Sequence, residues 1–317
     1  MILNIFLLIL GFVFLIKGAD IFVDGASSTA QNFKVSKMLI GLTIIAFGTS
    51  APEFAVSMSA LASGSTDMVL GNVIGSCITN SLLILGIAAI INPIKVKQNT
   101  VKKELPLCLL FSTALVVLFL DTKLADGVSD QITRADGIII LLFFSIFLYY
   151  LISLTKHKKA SIFEEKPKFK LWKSLLFVVV GLIGIIIGSD LVVDNAIEIA
   201  KVLGLSERLI ALTIIAIGTS LPELVTTIVS AKKGEQDLLL GNIIGSNIFN
   251  ICVVLGIPVI IYGTLTPASF LLIDLVMLIL SSLMLFIFAE TKHTITRMQG
   301  FIMLVAFIAY YFAVFVI

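Results

Sequence analysis

The chain has 317 residues, 59% of them hydrophobic and 13% charged, with a mean hydropathy of +1.14. A soluble domain is about 45–50% apolar and about 25% charged, so a water-soluble globule of this length is excluded for want of polar surface. The net charge of +2 offers no face for nucleic acid, and Cys77, Cys108 and Cys252, odd in number and set in apolar segments, read as small core residues rather than disulfide partners.

A hydrocarbon core about 30 Å thick needs about 20 apolar residues per helix. By that ruler the chain holds ten spans. The first, 2–23, lacks a basic n-region and a small-x-small cleavage site, so it is expected to stay as a membrane helix. The second, 36–62, carries Gly48-Thr49-Ser50-Ala51-Pro52-Glu53 near its middle, and the third, 68–92, carries Gly71, Asn72, Gly75, Ser76 and Asn80. Spans at 104–120 and 135–154 follow. The only substantial loop, 155–171, holds Lys156, Lys158, Lys159, Lys166, Lys168 and Lys170. Spans near 172–193, 207–231, 238–262, 268–289 and 298–316 complete an all-α polytopic membrane protein.

Basic residues in short loops set orientation. With the central loop cytoplasmic, the same side gains Lys34, Lys37, Lys95, Lys97, Lys102, Lys103, Lys232, Lys233, Lys292 and Arg297. The opposite side holds only Lys123, Arg134, Lys201 and Arg208 among several acids. A multi-pass protein of the cell membrane is expected, with both termini extracellular. Asp20, Asp24, Asp190 and Asp194, near span ends, read as solvated membrane-edge charges.

The sequence repeats at an offset of 170 residues. Ile40 to Glu53 matches Ile210 to Glu223, Gly71 to Asn80 matches Gly241 to Asn250, and no gap is needed. Such self-similarity marks a duplicated unit. The repeated blocks lie within 40–86 and 210–256, in halves 1–154 and 172–317 joined by the short basic loop 155–171. Five spans per half is an odd number, so the second half enters the membrane from the opposite side, an inverted-repeat arrangement used by secondary transporters.

In each copy Gly and Pro interrupt the span beside a glutamate. Proline removes a donor and glycine loosens the turn, which exposes carbonyls around Ala46 and Thr49, or Ala216 and Thr219. Such breaks at membrane depth are tolerated where they line a watery cavity. Thr49 and Ser50 precede Glu53 by four and three residues and so share its helical face. A carboxylate at mid-membrane costs at least a few kcal/mol unless paired, protonated or metal-bound, and no lysine or arginine lies in a neighbouring span core. A cation is the natural partner of Glu53 and Glu223. Ser76 with Asn80, and Ser246 with Asn250, add oxygens at a spacing of four, although serine and asparagine also serve as interhelical glue. Gly71, Gly75, Gly241 and Gly245 read as packing residues, and Asn72 and Asn242 as groups that cap or bond backbone near a helix start.

Carboxylates, carbonyls, hydroxyls and amides, without histidine or thiolate, suit a hard cation. Ca2+ takes about six to eight oxygens, while Mg2+ demands a tighter octahedron and dehydrates reluctantly. Two carboxylates neutralise one Ca2+ or two Na+, whereas an empty site leaves buried charge. Crossing with cargo is favoured, which is the requirement for exchange.

The paired G-T-S-x-P-E and G-S-x-x-x-N blocks on ten spans resemble the cation/calcium exchanger superfamily, and within it the prokaryotic sodium/calcium exchanger branch. The resemblance covers nearly the whole chain. It implies Ca2+/Na+ antiport by alternating access, with Glu53 and Glu223 as central ligands. It likewise implies ion-site roles for Thr49, Ser50, Ser76, Asn80, Thr219, Ser220 and Ser246, and Na+ sites at the carbonyls of Ala46 and Ala216. The first and sixth spans are implied to slide past the other eight helices. Asn250 stands where potassium-dependent relatives resemble one another in carrying aspartate, which argues against a K+ requirement. The G-N-x-x-E pattern of proton-coupled relatives is replaced here, which favours Na+ over H+. A cation channel is the rival reading; H+-coupled and K+-dependent antiport are the nearer alternatives. No enzyme chemistry, bound cofactor or obligatory protein partner is expected beyond the ions and the lipid bilayer.

Overall fold

The computed structural model describes residues 2–124, 129–156, 167–203, 216–267 and 272–316. Its long helices are α1 Ile2–Phe33, α2 Lys37–Thr49, α3 Ala51–Ala62, α4 Thr66–Ile91, α5 Leu105–Phe119, α6 Arg134–Lys156, α7 Leu171–Val202, α8 Leu221–Lys232, α9 Gln236–Tyr262, α10 Leu272–Glu290 and α11 Arg297–Val316. Seven of them are long and apolar enough to cross a membrane, and α2 with α3 form an eighth such element bent by 45°. The expected span at 104–120 coincides with α5, whose helix is prefaced by a π turn, Thr100–Glu104. The expected span at 207–231 and the start of that at 268–289 lie partly outside the described residues, as does most of loop 155–171.

The chain forms two compact units, one of Met1–Pro52 with Lys158–Asn242, the other of Glu53–His157 with Ile243–Ile317. Each draws on both sequence halves.

In the first unit α1 and α7, each 32 residues long, pack through glycine. A Cβ built on Gly181 would stand 2.5 Å from the Phe22 nitrogen, and one on Gly188 2.5 Å from the Leu15 nitrogen. Lipid tails are as apolar as Leu15 or Phe22, so burial alone does not drive these helices together; close backbone approach and dispersion do. Both helices outrun the expected spans 2–23 and 172–193. The hydropathy ruler stopped at Asp24, yet the helix continues, because its polar end is tied down. Lys233 Nζ lies 2.7 Å from Asp20 Oδ1 and 2.8 Å from Asp24 Oδ1, and Lys168 Nζ lies 2.7 Å from Asp24 Oδ2. Asp20 and Asp24 are ion-paired at the membrane edge, the Asp20 side chain half exposed and that of Asp24 largely covered, while Asp190 and Asp194 are exposed as expected.

In the second unit α5 meets α10 at Ser112 and Ser282, whose hydroxyls are 2.9 Å apart. Gly300 of α11 sits so close to α4 that a Cβ there would be 2.7 Å from the Gly86 carbonyl oxygen. A two-residue antiparallel ribbon, Ile94–Lys95 with Thr294–Ile295, ties the following loops together. The three cysteines are buried and free, as small core residues should be.

Candidate functional site

Both glutamates lie in the first turn of a helix that begins at a break. In α2 a π turn, Gly41–Ile45, precedes Ala46–Thr49; the chain then leaves helical geometry at Ser50 (φ −87°, ψ 7°) and restarts as α3. The second copy runs Ala216–Gly218, breaks at Ser220 (φ −91°, ψ 7°) and restarts as α8. Pro52 and Pro222 sit at the start of the new helix, where a missing N–H is not needed. The helix N-terminus carries a partial positive charge that favours a carboxylate in its first turn. Glu53 is 1% exposed and Glu223 is fully buried.

The break does not free the Ala46 carbonyl as expected, because it accepts the Ser50 N–H at 3.0 Å and lies 3.5 Å from the Thr49 hydroxyl. The carbonyl that a proline strips of its helical donor lies four residues earlier. In the second copy that is Gly218, and Ser189 of α7 donates its hydroxyl to it at 3.3 Å. The first copy has Ala19 at the position of Ser189, so this support occurs once.

Within the first unit, Ser50 donates its hydroxyl to Glu223 Oε1 at 2.9 Å. Thr49 donates to Asn242 Oδ1 at 3.1 Å, and Asn242 Nδ2 donates to Thr227 Oγ1 at 3.2 Å. Ser220, Glu223 and Thr226 are spaced by three on one face of α8. Ser220 is the N-cap residue, yet its side chain makes no cap bond; the hydroxyls of Ser220 and Thr226 are buried without a hydrogen-bond partner among the described residues. Leaving a buried hydroxyl unsatisfied costs about 1–3 kcal/mol, so such oxygens mark a place where another group is accommodated. Thr219 is half-buried, whereas its counterpart Thr49 is fully buried.

Within the second unit, Asn72 Nδ2 donates to the Glu53 carbonyl at 3.0 Å and to Ser57 Oγ at 2.9 Å. Ser76, Asn80, Ser246 and Asn250 are all buried. Asn80 Oδ1 and both amide atoms of Asn250 have no hydrogen-bond partner among the described residues. The two asparagines lie at π turns, Thr79–Ile84 and Asn250–Leu255, a distortion that recurs at functional sites.

Asn72 bonds backbone near a helix start, one of the two roles read from sequence, through the Glu53 carbonyl in the first turn of α3; Asn242, within α9, instead joins the side chains of Thr49 and Thr227. Their partners Ser57 and Thr227 are themselves 170 residues apart, each four beyond a repeated glutamate, a signal the sequence carried. The packing reading holds for Gly241, where a Cβ would be 2.7 Å from the Met38 carbonyl oxygen. For Gly71 and Gly75 nothing lies within 4 Å of a built Cβ among the described residues, and the repeat counterparts of the residues that Gly241 meets, 208 and 211–212, lie outside them. Thr226 and Asn247 were missed because the first copy has Val56 and Cys77 in their places.

The family described as "Sodium/calcium exchanger protein" matches residues 3–153 and 173–316. The chain is 42% identical over 322 residues to "Putative antiporter CaxA" of Alkalimonas amylolytica, covering 98% of each. It is 31% identical over 350 residues to "Sodium/calcium exchanger MaX1" of Methanosarcina acetivorans, covering 99% of each. Among solved structures, one of the sodium-calcium exchanger NCX_Mj soaked with Na+ and Sr2+ superposes with a TM-score of 0.84 at 36% identity, covering 98% of this chain and 97% of that one.

Proposed function

This chain belongs to the sodium/calcium exchanger family, and we propose that it is a secondary active transporter that exchanges Ca2+ for Na+ across the cell membrane by alternating access. The observation that carries the reading is the repetition of one buried chemistry. Glu53 and Glu223, at most 1% exposed, each start a helix after a Gly-Thr-Ser break.

The ligand set that follows is Glu53, Glu223, Thr49, Ser50, Thr219, Ser220, Ser76, Asn80, Ser246 and Asn250, with the carbonyls of Ala46 and Ala216. Ser50 holds one oxygen of the Glu223 carboxylate, and Asn72 fixes the backbone of Glu53, so part of the site is ordered before cargo arrives. Preorganised oxygens of this kind suit a weakly hydrated hard cation better than Mg2+, which dehydrates reluctantly. The exchanged ions are cargo, and no bound cofactor or covalent chemistry enters the cycle.

We place ten spans in two inverted halves, 1–154 and 172–317, with loop 155–171 cytoplasmic and both termini outside. Contacts between repeat mates support the two-fold relation. In an isologous arrangement, a contact between i and j is answered by one between their mates. A Cβ on Gly11 would be 2.9 Å from the Gly188 oxygen and one on Gly18 2.9 Å from the Gly181 oxygen, a reciprocal pair at the 170-residue offset. Ser112 and Ser282 are themselves mates, and so are Cys77 and Asn247, whose Sγ and carbonyl oxygen are 3.7 Å apart.

The coupling ion is tested with purified protein in liposomes by imposing Na+, K+ and pH gradients one at a time. Ca2+ flux is expected to follow the Na+ gradient, to vanish when choline replaces Na+, and to be indifferent to K+. Flux that survives in choline and answers a pH step instead would establish H+ coupling.

A further inference from the structure

We propose that Asn247 is a positioning residue for transport: it holds Asn80 by the amide nitrogen, so that the amide oxygen of Asn80 is the atom presented to the cation. The proposal rests on the reading of Asn80 as a ligand and adds what makes it one.

A carboxamide is ambiguous as a cation ligand. Its oxygen accepts and its nitrogen donates two hydrogens, so only one of its two orientations suits a cation. Asn80 Nδ2 donates to Asn247 Oδ1 at 3.1 Å, and Asn247 is oriented in turn by donating its own Nδ2 to Ser81 Oγ at 2.9 Å. Ser81, Asn247 and Asn80 are at most 1% exposed, so bulk water does not compete for these bonds. The relay leaves Asn80 Oδ1, buried and without a hydrogen-bond partner among the described residues, as the end of the chain.

The repeat sharpens the point by failing here. The position equivalent to Asn247 is Cys77, and the position equivalent to Ser81 is Ile251. Neither a thiol nor an alkyl group can orient an amide as a carboxamide does. Asn250, the mate of Asn80, has no hydrogen-bond partner among the described residues at either amide atom. One asparagine is held in its liganding orientation before cargo binds, and its mate is not. Preorganisation of this kind lowers the ordering cost of binding and so acts on affinity for the ion.

The test is a double-mutant cycle on Ca2+ transport in proteoliposomes, with KM and maximal rate measured separately for Asn80→Ala, Asn247→Ala and the double variant. Asn247→Ala is expected to raise the Ca2+ KM about tenfold, the factor expected for one hydrogen bond, with a smaller change in maximal rate. The double variant is expected to match Asn80→Ala within about twofold, because Asn247 acts through Asn80. Ser81→Ala, which removes only the hydroxyl that Asn247 bonds, is expected to raise KM about two- to fivefold and serves if Asn247→Ala does not fold. Effects of Asn80→Ala and Asn247→Ala that multiply in the double variant, or an unchanged KM in Ser81→Ala, would overturn the positioning role while leaving Asn80 a ligand. An unchanged KM in Asn80→Ala would remove the ligand assignment and the proposal with it.

Discussion

Glu223→Gln is expected to reduce Na+-driven Ca2+ exchange at least about a hundredfold while the purified protein remains folded and monodisperse. Glutamine keeps the volume and can still accept the Ser50 hydroxyl that now reaches Glu223 Oε1 at 2.9 Å. What it removes is the negative charge. Breaking a buried charge pair by deleting one partner costs about 3–5 kcal/mol, and each 1.4 kcal/mol is about tenfold in binding. Glu53→Gln is expected to behave alike, since Glu53 occupies the same first-turn position after the same break. Ser50→Ala is the milder control, because it loosens Glu223 without discharging it. Near-normal exchange in either glutamine variant would remove that carboxylate from the transport site.

The second large effect concerns stability. Gly181→Ala is expected to destabilise the protein by about 1–3 kcal/mol or more, the usual cost of overpacking. The added methyl would stand 2.5 Å from the Phe22 nitrogen and 2.7 Å from its Cα, and backbone atoms cannot swing aside as a flexible side chain can. Gly71→Ala is the matched comparison. Among the described residues nothing lies within 4 Å of a Cβ there, and alanine is favoured over glycine in a helix by about 1 kcal/mol. Thermal unfolding followed by loss of monodispersity should therefore fall for Gly181→Ala and hold or rise for Gly71→Ala. Equal melting of the two would mean that α1 and α7 are not held by their glycine contacts.

The two glycines also show what could be read from sequence. The repeat, the glutamates and the broken spans were legible because a polar group in an apolar run is conspicuous, and more so when it recurs at a fixed offset. The lengths of α1 and α7 were not, because a ruler of about 20 apolar residues ends the spans just before Asp24 and Asp194. Asp20 and Asp24 continue the helix because Lys233 and Lys168, distant in sequence, neutralise them. The role of each repeated glycine was also hidden. Gly241 is pressed against the Met38 carbonyl, whereas the residues that the repeat would set against its mate Gly71 lie outside the described ones.

The asymmetric polar groups were the hardest to see. Comparing one half with the other selects residues present in both, so Glu53 with Glu223 and Asn80 with Asn250 stood out. Ser189, Thr226 and Asn247 lie opposite Ala19, Val56 and Cys77 and carry no repeat signal. In the structure they supply, in turn, the donor to the Gly218 carbonyl, a buried hydroxyl on the Glu223 face, and the acceptor that orients Asn80. The repeat gives the two halves a common set of polar groups, and these positions make the halves chemically different.

Antiport predicts transport against a gradient, which no channel can perform. Liposomes containing the protein are loaded with Na+ and diluted into Na+-free medium holding a low, fixed Ca2+ concentration, and internal free Ca2+ is followed with a trapped indicator. Internal Ca2+ is expected to climb above the external concentration and to fall back when a Na+ ionophore collapses the gradient. Internal Ca2+ that rises only to the external level, and does so with or without the Na+ gradient, would contradict exchange.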